Sequence, residues 1–136
     1  MNNQAAGWFA RLAVGAVFIM NVACAVVFIL QPQDYAADFE LSGVVGRIIV
    51  QSLGILFLMW NVTYPPVILQ PEGHRTLFGI VLAQQAIGVV GETWLWLSLP
   101  AGHTVLRLTG LRFMLFDGLG LVLMGAAYLW LLRNKP

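Results

Sequence analysis

Arg47, Glu92, Arg112 and Asp117 are ionisable residues set inside long apolar runs of the chain. A charge at the centre of a bilayer costs about 2.5–3.5 kcal/mol on insertion scales, so such residues are rare in apolar segments and mark a site or a polar network. Two cations and two anions can neutralise one another. Counted along the helices these runs would form, Arg47 and Arg112 lie about one turn, roughly 5 Å, inside one end of the bundle, and Glu92 and Asp117 roughly 10–12 Å inside it. Arg47 and Gln51 are spaced i, i+4, and Gln85, Gly88 and Glu92 form an i, i+3, i+7 stripe. Both faces are expected to look inward, with Arg47 paired to Glu92, and Arg112 or Gln51 beside Asp117. Arg112 and Asp117 stand about 140° apart at about 100° per residue, so they cannot share one partner. Arg112 can snorkel to the interface along its stem, whereas Asp117 has no such reach. Asn21 and Gln84 add amides nearer the middle. The candidate ligand-binding or polar-core residues are therefore Arg47, Gln51, Gln85, Glu92, Arg112 and Asp117.

This set supports two kinds of chemistry. A closed, neutralised network would fix helix register where apolar packing is unspecific. A small cavity would let Glu92 or Asp117 exchange protons or meet a ligand head group. An intramembrane enzyme built on an acid pair requires Glu92 and Asp117 to converge on one cavity, and no catalytic residue is assigned. His74 and His103 fall in loops on opposite sides, read as solvated, so neither a bis-histidine haem nor a shared metal site is expected. The single cysteine, Cys24, has no partner for a disulfide or a CxxC pair and reads as a small apolar filler. The signatures of nucleotide binding, serine hydrolases and zinc proteases are absent from the sequence. No cofactor and no metal is expected.

The elements that must carry these residues follow from composition. Of the 136 residues 60% are hydrophobic and only 10% charged, seven Lys plus Arg against six Asp plus Glu. Soluble domains carry about 25% charged residues, so this chain cannot cover itself in water, and its solvent is expected to be lipid. A net charge of +1 with no basic run leaves no footprint for nucleic acid. Four apolar stretches, about 8–30, 44–64, 76–99 and 109–132, each approach the roughly 20 residues that span a bilayer. They predict one all-α domain, an integral membrane four-helix bundle in up-down-up-down order, since short loops force antiparallel neighbours. The first stretch lacks a basic residue ahead of it and is too long for a signal core, so a retained span is expected.

Tyr64-Pro65-Pro66 predicts that the second helix stops there, or kinks and runs on to about Leu69. Arg11, Arg75, Arg133 and Lys135 fall on the side of the termini, against Arg107 with Arg47 and Arg112 opposite, which favours both termini in the cytoplasm of a multi-pass cell-membrane protein. Trp8, Trp60, Tyr64, Tyr128 and Trp130 are read as one interfacial belt, and Trp94 and Trp96 as the other. The first loop, Gln31–Gly43, is amphipathic enough for a short interfacial helix or lid over the polar cluster, and otherwise reads as a solvated connector.

Four spans in about 130 residues, the opening Arg11-Leu12-Ala13-Val14-Gly15-Ala16-Val17-Phe18, and polar residues one turn inside later spans resemble the DoxX-like group of small bacterial membrane proteins. That group includes subunits of quinone-linked oxidoreductases and many members of unknown role, so the resemblance implies an accessory membrane subunit or a protein of unassigned role and licenses no catalytic residue. The small four-helix multidrug transporters are similar in length but carry a glutamate in the first span, where this chain has Asn21, its own glutamate being Glu92 in the third. The expected role is a non-enzymatic accessory or scaffold protein, or a binder of a lipid or quinone-like ligand. A proton-coupled transporter acting as a dimer is the alternative. Besides the lipid bilayer, a partner membrane subunit or a second copy of the chain is the expected neighbour.

Overall fold

A computed structural model describes residues 3–134, which are helical apart from short turns. Lys135, used above for orientation, lies outside the described residues. The order is α1 (Asn3–Leu30), α2 (Pro32–Ala36) running into a single 3-10 turn (Ala37–Phe39), α3 (Gly43–Asn61), α4 (Tyr64–Leu69), α5 (Arg75–Ser98) and α6 (Thr104–Arg133). Helices α1, α3, α5 and α6 are long and apolar enough to cross a membrane. They match the four apolar stretches of the sequence.

Proline and glycine set the punctuation. Pro32 opens α2 at a position where its missing N–H is not needed, and α1 ends just before it. Pro65 would press its ring on the Asn61 carbonyl and withhold the N–H that carbonyl needs, so α3 stops at Asn61 and a new helix starts at Tyr64. The helix is interrupted and helical structure then runs on to Leu69, as the second alternative expected, but the interruption is not at Tyr64. The break falls two residues earlier, at Val62 and Thr63, and the prolines occupy the first turn of α4. Leu99, before Pro100, is extended and closes α5.

Packing is built around α1 and α6. Helix α1 lies against α3, α4 and α6, and α5 lies against α6, while α3 and α5 barely touch. Gly54 permits the α1–α3 approach, because a Cβ there would stand 2.7 Å from the Ala25 carbonyl oxygen. The larger core cluster runs from Ala6 and Ala10 through Val14, Tyr64, Phe78 and Met124, and a smaller one gathers around Phe28, Ala36 and Val50. Large apolar side chains also cover the outside, Leu12 at 68% and Leu119 and Val122 at 71% exposure among them. Water would not tolerate so continuous an apolar exterior; the arrangement is compatible with a multi-pass membrane protein.

Candidate functional site

The site begins at Gln85, a polar side chain in the middle of α5 that is 2% exposed. Buried amides require partners, and three hydrogen bonds hold this one. The Tyr64 hydroxyl donates to Gln85 Oε1 at 3.1 Å, which fixes the orientation of the amide. Gln85 Nε2 then donates to Asp117 Oδ1 at 2.9 Å and to the Asp117 carbonyl at 3.1 Å. Asp117 is thus held by one oxygen. Its second oxygen stands over Gly88, where a Cβ would come within 3.1 Å of Oδ2, so the bare backbone of Gly88 leaves room for the carboxylate.

Glu92 follows Gly88 by one turn of α5 and lines the same cavity as Asp117. The Glu92 Oε2 atom is buried without a hydrogen-bond partner. Two carboxyls that share one mostly apolar cavity repel when both are ionised, which favours a proton on one of the pair. Neither acid takes part in an ion pair among the described residues. Further amides lie beside this floor. Asn21 Nδ2 donates to Asn61 Oδ1 at 3.4 Å, and Asn61 Nδ2 donates to the Phe57 carbonyl at 2.7 Å.

Above the floor is a cavity of about 360 Å³, lined by residues of all four long helices. Its walls are aromatic, with Phe28, Phe57, Trp60, Phe113 and Phe116 joined by Met20 and Cys24. Phe28 is the hub, with ring centroids 5.2–6.2 Å from Tyr35, Phe39, Phe57 and Phe113. Tyr35, Asp38 and Phe39 come from α2 and the 3-10 turn and form a roof. Two ties latch this roof to α6 and the loop before it. Arg112 pairs with Asp38 at 3.4 Å, and Glu40 bonds both the His103 ring and the Leu106 N–H, the latter at 3.2 Å. Glu40 is held in the left-handed region, φ 54°. The hydrogen bond from His103, then that from the Leu106 N–H, keeps its carboxyl below the ordinary glutamate range.

Of the residues singled out from sequence, the structure brings Gln85, Glu92 and Asp117 together on the cavity floor and puts Arg112 at its mouth. Arg47 and Gln51 are elsewhere. The inward face of α3 is Gly46, Val50 and Gly54, one position off the face that the i, i+4 pair was expected to present. That offset of about 100° leaves Arg47 exposed and without an ion pair among the described residues. Gln51 Nε2 donates to the Ile29 carbonyl at 3.1 Å, tying α3 to α1. The expected Arg47–Glu92 pair and the charge-balanced cluster of four are therefore not formed. Two belt assignments also change. Tyr64 is fully buried on Gln85, and Trp60 lines the cavity.

Sequence reading missed the aromatic walls, Asn61, Tyr64 and the two ties of the roof, Asp38–Arg112 and Glu40–His103. The adjacent amides Gln84 and Gln85 were a usable signal for Tyr64 and Thr63, which bond them across the bundle. Among the described residues no three His, Cys, Asp or Glu side chains gather as a metal site. Comparisons with protein-family models, curated proteins and solved structures return no match to this chain.

Proposed function

We propose that the protein is a non-enzymatic, multi-pass cell-membrane protein that binds a small lipid-soluble ligand in the cavity, as an accessory component of the kind the DoxX-like resemblance implies. In this reading the long helices cross the bilayer in up-down-up-down order with both termini in the cytoplasm. The observation that carries it is the cavity of about 360 Å³ with aromatic walls and the Gln85–Asp117–Glu92 group at its floor. Binding sites for small molecules are concave, mostly apolar, about 300–1,000 Å³ in size, and orient their ligands with a few polar groups. A quinone-like ring with one hydrogen-bonding end has that shape and polarity.

The test is titration of the purified protein with menadione, read by quenching of tryptophan fluorescence, since Trp60 lines the space. Saturable binding is expected. Cys24→Phe, which fills the cavity from α1, is expected to weaken it at least about tenfold, or about 1.4 kcal/mol. Unchanged binding in a folded Cys24→Phe protein would place the ligand elsewhere and end this reading.

The placing of two acids, Glu92 and Asp117, on one cavity favours a second reading, a proton-coupled transporter acting as a dimer. In that case an imposed pH gradient drives ligand uptake into proteoliposomes, and Glu92→Gln abolishes the uptake while the protein still folds.

A further inference from the structure

The charge inside the cavity is unbalanced, and that selects among ligands. Arg112 is the only Lys or Arg at the wall among the described residues, and Asp38 already engages it. Glu92 and Asp117 both line the cavity, and neither takes part in an ion pair among the described residues. The other titratable groups around the space are Cys24 of α1 and Tyr35 of α2, with Tyr64 of α4 behind Gln85; α3 presents none. The same cavity is lined by the rings of Phe28, Phe57, Trp60, Phe113 and Phe116.

Ring faces carry partial negative charge and attract organic cations, most strongly where water is excluded. A neutral head group would gain only a hydrogen bond here. A cation gains from the rings and from a carboxylate that no protein cation neutralises. Accepting the cavity as a ligand site, we infer that it takes a lipophilic organic cation, an aromatic or quaternary ammonium, in exchange for a proton carried by the pair of acids, Glu92 and Asp117. In that exchange the carboxyl O–H bond breaks, its electron pair stays on the oxygen, and the proton passes to water. The ligand's charge takes the proton's place, so the net charge of the cavity does not change.

The experiment compares three ligands on the full chain in lipid nanodiscs. They are 1-methyl-4-phenylpyridinium, which is permanently charged, its uncharged isostere 4-methylbiphenyl, and menadione. The cation is expected to bind best. Its affinity should rise about tenfold per pH unit while binding releases about one proton per ligand, by linkage. Proton release is read with an indicator dye in weak buffer. Glu92→Gln and Asp117→Asn should each flatten the pH slope, and if either fails to fold, the proton count on the unmodified protein decides. Binding of menadione or the isostere but not of the cation would overturn the inference and leave the ligand-site reading standing. Cation binding of equal strength at every pH, with no proton released, would overturn it as well. Failure of all three ligands to saturate would end both.

Discussion

Glu40 ties the roof to the start of α6. Its ties to His103 and to the Leu106 N–H hold its carboxyl below the ordinary glutamate value. A group whose folded value is depressed contributes stability above its unfolded value and loses that contribution as pH falls through the folded one. The latch is therefore intact at neutral pH and weakens on acidification below the ordinary glutamate range. Amide hydrogen exchange at Leu106, corrected for intrinsic rates, should lose protection in that range. Glu40→Gln should show the reduced protection already at neutral pH; a variant as protected as the parent would show that the carboxylate does not hold the roof. Little of this was legible in sequence. Glu40 and His103 are 63 residues apart, and Asp38 and Arg112 are 74 apart, so no local pattern connects them. Gln85, Glu92 and Asp117 were legible because a polar group in an apolar run is costly wherever its partner lies.

Among the elements, the pair α1 and α3 is set by a glycine. A Cβ on Gly54 would lie 2.7 Å from the Ala25 carbonyl oxygen and 3.1 Å from Phe28 Cβ, and a backbone oxygen in a helix cannot step aside. Gly54→Ala should therefore push the helices apart and cost about 1–3 kcal/mol. Gly125→Ala is the control, since nothing stands within 4 Å of its added carbon. Unfolding in increasing denaturing detergent should separate the two variants; equal midpoints would mean that Gly54 does not set the crossing. Element lengths were readable because each long helix is one apolar run bounded by Pro, Gly or charge. Helix rotation was not, since α3 carries apolar residues nearly all round and gives little direction to its inward side. Arg47 and Gln51 suggested a face, and the packing of Gly46, Val50 and Gly54 chose the neighbouring one. The buried Tyr64 was misplaced for a related reason: tyrosine near a helix end reads as an interfacial anchor until the chain turns inward at the prolines.

For the whole molecule, the exterior decides the solvent. Leu12, Leu119 and Val122 are among many large apolar side chains left outside, so an integral membrane protein is expected to stay with the membrane pellet on extraction with alkaline carbonate. Release into the supernatant would contradict the multi-pass reading. The way the helices associate has a further consequence. Because α3 meets α1, α1 meets α6 and α6 meets α5, while α3 and α5 barely touch, the chain encloses its cavity as a horseshoe does. In a bilayer the gap of the horseshoe is filled by acyl chains. In the proposed reading the ligand site would then belong jointly to protein and lipid, and the fluidity of the surrounding membrane would be one of the determinants of what it holds.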